Sequence, residues 1–316
     1  MTGAASFPSF VARRFALLLL TLVLVPSLSF VMFTLIQGDH TAPLDVLDEL
    51  VDYLAAVFLQ GDAGSGTFQS DTFIRTRSAL EVVKEGFLVD CCLLGAAIAL
   101  GVLTGLLAGG IQATRPSSLA ARGLTVLESL ALSAPVYFLA LVALLLFAPG
   151  VGSVAQVPFL STINGYRDPG DDPVGFVHGL WLPALIVGTP LAAACARMCA
   201  AQLLSTLQED FVRAARGKGV AGRRVVWRHA LPVAAGPVVA LVGVNMNLIL
   251  TNVALIETVF NIPGGFRYIE RALVNRDVDL VQALIVEATL FIVLANFLAD
   301  AIHAWLDPRV RTGEPV

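Results

Sequence analysis

The sequence predicts an all-α polytopic membrane protein with about six transmembrane helices, on two observations. Of its 316 residues, 57% are hydrophobic and only 14% charged, against roughly 25% charged in soluble domains. The apolar residues also gather into runs long enough to cross roughly 30 Å of hydrocarbon, which takes about 20 residues of helix. A net charge of −4 leaves no overall basic field to recruit nucleic acid, so that class is excluded and any basic patch is local.

The first run, residues 15–36, follows a short N-terminal tail (1–14) that ends in Arg13 and Arg14. It is longer than the apolar stretch of a signal peptide and no A-x-A-like site closes it, so it reads as a retained helix. Residues 37–85 form an extracytoplasmic segment. Within it Leu44, Leu47, Leu50, Val51, Leu54, Val57 and Phe58 recur at three- and four-residue steps, with Asp45, Asp48, Glu49 and Asp52 between them. That period predicts an amphipathic helix on the outer membrane face or against the bundle. Five further runs, at about 86–113, 123–147, 179–203, 231–260 and 280–306, make a core over 86–306, followed by a tail at 307–316. Gly101, Gly105 and Gly109 form a small-residue stripe for close helix packing, and Pro135 is placed to bend the third span. The stretch Asp168-Pro-Gly-Asp-Asp-Pro173 has the chemistry of a solvated turn.

Six spans put both termini on one side, and Lys and Arg decide which. One set of segments holds Arg13, Arg14, Arg115, Arg122, Arg213, Arg216, Lys218, Arg223, Arg224, Arg228, Arg309 and Arg311, twelve cations against seven in the other set. Both termini are therefore expected in the cytoplasm.

The four cysteines, Cys91, Cys92, Cys195 and Cys199, lie inside apolar runs and read as small buried hydrophobes. Cys195 and Cys199 share a helix face, yet no His or carboxylate stands beside them in sequence to complete a metal site. No H-E-x-x-H, G-x-S-x-G or Walker motif occurs, and His40, His178, His229 and His303 are scattered, so no catalytic residue and no bound cofactor are expected. A self-sufficient secondary transporter would show repeated halves with broken helices, and no internal repeat is seen.

Ionisable groups inside spans are costly and direct attention to function. Arg197 and Asp300 lie late in the fourth and sixth spans, placed for an ion pair or for snorkelling. Glu128 starts the third span within reach of Arg122 or Arg115. Asp90 and Glu287, on the outer halves of their spans, either face a translocation cavity that takes an amine or cation, or pack internally; Glu257 is the remaining carboxylate. Asn245, Asn247 and Asn252 divide likewise between pathway lining and interhelical hydrogen bonds.

The segment 204–232 carries the most information. Thr206 and Glu209 have capping-box spacing, Leu207, Phe211, Ala214 and Ala215 form an apolar stripe, and Gly219 supplies a stop. These predict a helix from Leu207 to Lys218, a rod of about 18 Å. Composition alone would make its arginines a positive-inside loop touching anionic headgroups of the membrane lipid. The residue order says more. Arg213-Ala-Ala-Arg-Gly-Lys-Gly219, then Val220 to Ala230 and Leu231-Pro232, resembles the EAA loop of ABC-importer permeases.

The likeness narrows to the B-type permeases of dipeptide, oligopeptide and nickel importers. It runs through Glu209-Asp-Phe-Val-Arg-Ala-Ala-Arg-Gly-Lys-Gly219, Arg228-His-Ala-Leu231, Glu257-Thr-Val-Phe-Asn-Ile-Pro-Gly264, Arg276-Asp277, Asn296 with Asp300, and Asp307-Pro-Arg-Val-Arg311. Upstream, Gly38-Asp39, Gly61-Asp62, Ser133-Ala-Pro135 and Leu182-Pro183 also fit. Ala200 stands where an arginine is frequent, the stretch from Gly38 to Gly61 is short, and no Pro follows Asp39. The resemblance implies a permease subunit of the bacterial inner membrane, importing di- or oligopeptides, with nickel or another small solute as the alternative. It implies a coupling loop of Glu209, Asp210, Phe211, Arg213, Ala214, Ala215, Arg216, Lys218, Gly219 and Arg228, seated on a separate ATP-hydrolysing subunit that binds the ATP and Mg. The further partners it implies are a second permease, a second ATP-binding subunit and an extracytoplasmic substrate-binding protein, for which residues 261–279 are a candidate contact.

Overall fold

The computed structural model describes residues 7–37, 43–60, 78–147 and 166–306, and every regular element among them is helical. In order these are α1 (Phe7–Gln37), α2 (Pro43–Ala55) running into a π turn (Ala56–Gln60), α3 (Ala79–Thr114), α4 (Leu119–Ser133), α5 (Val136–Phe147) and α6 (Pro173–Thr206). Then come α7 (Asp210–Gly217), α8 (Gly222–Val225) with a π turn (Val226–Ala230), α9 (Leu231–Phe260), a 3₁₀ turn (Phe266–Tyr268), α10 (Ile269–Asn275) and α11 (Val278–Leu306). Five of these stretches, carried by α1, α3, α6, α8–α9 and α11, are long and apolar enough to cross a membrane, and the bent α4–α5 pair makes a sixth when it is counted as one broken span. The stretches Gly38-Asp39, Gly61-Asp62 and Asp307-Pro-Arg-Val-Arg311 lie outside the described residues.

The expected third span is not one helix. α4 and α5 meet at 111°, broken at Ser133-Ala134-Pro135. Pro135 has no N–H to continue the ladder and pushes its predecessor out of the helical region, and Ala134 is extended at φ −82°, ψ 130°. Other boundaries moved outward. α3 begins at Ala79, seven residues before the expected Gly86, because Ser78 and Glu81 form a capping box in which each side chain accepts from the other's backbone N–H. α6 begins at Pro173, where Asp172 Oδ1 accepts from Gly175 N–H at 2.9 Å and proline fits a first-turn position that needs no donor. Asp168 forms the expected turn, its Oδ1 accepting from Gly170 N–H at 2.8 Å.

The core is the α3–α6 seam with α9 and α11 laid against it. Gly101, Gly105 and Gly109 meet Gly188, Leu191, Cys195, Ala196 and Cys199 of α6 so closely that any Cβ would touch α6 backbone or side chain. Dispersion contact between close backbones holds such a seam, since lipid offers no hydrophobic drive to separate helices from tails. Cys195 and Cys199 are fully buried in it, as expected of small hydrophobes, while Cys91 and Cys92 are half-buried.

α1 is peripheral. It lies on α11, where Phe15 meets Phe297 edge-on and Arg14 pairs with Asp300 at 3.0 Å. Asp300 therefore does not pair with Arg197, which removes the ion pair from the two sequence readings, ion pair or snorkelling. Arg197 instead reaches Ser129 Oγ at 3.2 Å and Glu128 at 3.9 Å, and Glu128 accepts from Gln112 Nε2 at 2.6 Å; among the described residues it pairs with neither Arg115 nor Arg122. The reason is chain crossing: α6 packs beside α4, whereas α11 packs beside α1. Both partners of the Arg14–Asp300 pair are partly exposed, so Arg14→Gln is expected to cost less than ~1 kcal/mol, shifting the thermal midpoint of the detergent-solubilised chain by under ~3 °C.

α2 is the helix the sequence reading expected. It contacts α1, Phe30 stacking on Tyr53 at 4.8 Å, while Leu47, Val51 and Phe58 of its apolar stripe remain exposed. Burial, with Asp279 adding to it, pushes the Tyr53 phenol up to about 12.

Candidate functional site

Two places concentrate polar groups, one at each end of the bundle. At one end, α6 passes through a tight turn into α7. Thr206 remains the last residue of α6 and donates back to Gln202 O at 2.8 Å, so the expected capping box with Glu209 does not form. α7 starts only at Asp210 and its eight residues span about 12 Å rather than about 18 Å. Its stop is as expected: Gly219 takes φ +76° and its N–H donates to Arg216 O, while Val220 N–H donates to Ala215 O.

The inward residue of α7 was not anticipated. Val212 is wholly buried, Ala215 is half-buried, and Phe211 and Ala214 are exposed. Val212 was passed over because the stripe was drawn from Leu207, and a helix starting at Asp210 is phased differently. Arg213 pairs with Asp210, while Glu209, Arg216, Lys218 and Arg228 are exposed. The exposed face of α7 thus carries Phe211 and Ala214 among charges, on a rod fastened from beneath by one valine. Leu231-Pro232 opens α9 directly after the π turn, so Gly222–Phe260 runs on as one helical stretch, joined to α7 by the turn at residues 218–221.

At the other end, the segment after α9 folds back onto the bundle. Asn261 takes a left-handed conformation at φ 51°, closing α9, and Ile262 N–H donates to Glu257 O. The chain then turns at Gly264 and Gly265. Gly265 N–H donates to Asp90 Oδ2 at 2.8 Å and Arg267 N–H donates to Glu257 Oε2 at 2.8 Å. Glu287 comes in from α11, so three carboxyl groups from α3, α9 and α11 converge beneath one turn. Asp90 and Glu257 have no exposure and Glu287 has 3%. Asp90 Oδ1, Glu257 Oε1 and both Glu287 oxygens have no donor partner among the described residues.

Glycine is required here by contact. A Cβ on Gly264 would overlap the Asp90 and Glu257 carboxyl groups, and one on Gly86 of α3 would overlap the Gly265 backbone. Asp90 and Glu287, read from sequence as either cavity-facing or packed, lie buried beneath the glycine turn. No group of three or more His, Cys, Asp or Glu among the described residues is arranged to hold a metal ion. Of the asparagines, Asn245 donates to Leu241 O at 2.8 Å in its own helix, Asn252 is buried and Asn247 is exposed. What the sequence missed was Glu257 as a partner of Asp90, across a separation that periodicity cannot see. The one available signal was the run Glu257 to Gly264.

A family model described as "Binding-protein-dependent transport system inner membrane component" matches residues 101–312. This chain belongs to that family. Among curated proteins it is 29% identical to the "Di/tripeptide transport system permease protein DppB" of Pseudomonas aeruginosa, over 96% of this chain and 98% of that protein. It is 30% identical to a "Probable peptide ABC transporter permease protein" of Sinorhizobium fredii, over 67% of this chain and 66% of that protein. The resemblance to B-type permeases of peptide ABC importers therefore holds. As a binding-protein-dependent permease component, the chain keeps within the matched stretch both α7 and the turn at Gly264, with Glu257 and Glu287. α1, α2 and Asp90 precede that stretch.

Proposed function

We propose that this inner membrane component is one of two permeases lining the pathway of an ATP-driven importer of di- or oligopeptides. The observation that supports it best is α7: a short helix anchored by Val212, with Phe211 and Ala214 turned outward, and with α8, its π turn and α9 following as one helical stretch after the turn at residues 218–221. A separate ATP-binding subunit that holds α7 in a groove and closes on ATP would move α9 as a lever, a rigid-body transmission that a flexible loop would dissipate. ATP and Mg reside on two such subunits, and this chain hydrolyses nothing. The cationic end bearing α7 faces the cytoplasm with both termini. The glycine turn faces outward, where residues 261–279 meet the substrate-binding protein.

The test is affinity purification of the tagged chain from native membranes in mild detergent, with mass spectrometry of its companions. A second permease and an ATPase pair are expected with the wild type. Ala214→Glu, which puts a charge on the exposed face of α7 and leaves Val212 seated, is expected to lose the ATPases and keep the second permease. Unchanged ATPase recovery and uptake in that variant would sink the docking role of α7.

A further inference from the structure

We infer that the cleft between the α3–α4 turn and the coupling segment binds the phosphate of an anionic phospholipid. The inference rests on the permease reading above, and in particular on this end of the bundle lying at the membrane surface.

The cleft has a volume of about 740 Å³. That is within the range of roughly 300–1,000 Å³ typical of small-molecule sites, room enough for a phosphodiester headgroup and its glycerol. Three arginines converge on it from three elements: Arg115 from the end of α3, Arg216 from α7 and Arg223 from α8. No acidic residue lines it, and among the described residues none of the three guanidinium groups has an ion pair or hydrogen bond. Three exposed guanidinium groups around one cleft favour an anion there, and basic pockets between membrane helices on the cytoplasmic side are met by acidic headgroups.

The apolar part of the cleft decides which kind of anion. Its walls include Ile111 and Trp227, 41% and 48% exposed, and Leu119, at the mouth between the lining residues Ser118 and Ala120, is 83% exposed. Ile111 continues the exposed apolar residues Leu103 and Leu107 of α3 to the cleft, and Trp227 meets it from the π turn before α9. Acyl chains leaving a bound headgroup would run along them, and Trp is the side chain best suited to the headgroup level. A soluble phosphate, or an acidic patch of the ATPase, would fill the charged half and leave the apolar half uncovered. Because Arg115 belongs to the bundle and Arg223 to the coupling segment, one headgroup ties the two together and braces the lever on which α7 works.

The experiment uses the assembled complex, permease pair with ATPases, in phosphatidylcholine nanodiscs with and without phosphatidylglycerol. After transfer to mild detergent, the phosphatidylglycerol retained per complex is counted by mass spectrometry. Wild type is expected to retain it, and Arg115→Gln with Arg223→Gln to lose roughly fivefold or more, while the Lys replacements at both positions hold most of it. Millimolar inorganic phosphate is expected not to displace the lipid. Equal retention by the Gln pair overturns the site, and displacement by inorganic phosphate overturns the lipid as occupant. Protection of Arg115 and Arg223 from guanidine-directed labelling by the ATPases, undiminished in discs lacking phosphatidylglycerol, would assign the cleft to the partner protein and also overturn it. A wild-type complex that does not assemble would instead count against the permease reading, so the two failures are distinct.

Discussion

A Gly264→Val chain is expected to insert into the membrane and bind its partners, yet lose at least roughly tenfold in ATP-driven uptake. The added side chain has no room: the first carbon alone would overlap the Asp90 and Glu257 carboxyl groups. Those groups cannot withdraw without giving up the 2.8 Å bonds to Gly265 and Arg267 that fasten the turn. Overpacking of this kind typically costs about 1–3 kcal/mol, and the cheapest relief is for the outer segment to lift from the bundle rather than for three helices to separate. Uptake into proteoliposomes measures the loss, and trypsin cleavage within residues 261–277 measures the lifting. Gly123→Ala serves as the control, since nothing lies within 4 Å of a Cβ there. Wild-type uptake together with wild-type protease resistance would refute the fastening role of the carboxyl cluster.

Gly105→Leu is expected to act on the whole fold. Its Cβ would strike Cys195 and the Ala192 carbonyl, at the middle of a seam where Gly109 is as tight against α6 and Gly101 somewhat less so. Backbone faces backbone, so no side-chain rotation relieves the clash, and α3 and α6 must part along several turns. The expected cost exceeds ~4 kcal/mol, a fall of roughly 10 °C in the thermal midpoint of the detergent-solubilised chain. Gly95→Ala, on the same helix with nothing near its Cβ, is expected to leave the midpoint unchanged. A Gly105→Leu chain that melts like wild type would mean that the α3–α6 seam does not hold the bundle.

The readable part of the fold was what depends on neighbours in sequence. Apolar run length located the spans, and the i, i+4, i+8 glycines marked the face of α3 that α6 covers. The turn at Asp168 and the stop at Gly219 follow from backbone chemistry local to a few residues. The early start of α3 could also have been read, since Ser78 and Glu81 stand at capping-box spacing. The start of α7 could not: Thr206 and Glu209 offer the same spacing, and only the continuation of α6 through Thr206 denies them the cap. A shift of three residues at the start then rotated the buried face from Leu207 and Phe211 to Val212.

The sequence by itself determined that this chain spans a membrane, which family of inner membrane component it belongs to, and which loop resembles the coupling loop of such permeases. Run length, charge placement and residue order along the chain are enough for that. Only the tertiary structure decided the partners of the buried charges. Arg197 found Glu128, Asp300 found Arg14, and Asp90 met Glu257 and Glu287 beneath a glycine turn. Pairings of this kind depend on which helices lie side by side. That order is settled by shape, by the glycine seam and by the 111° break at Pro135, and a helical period within one element carries no record of it.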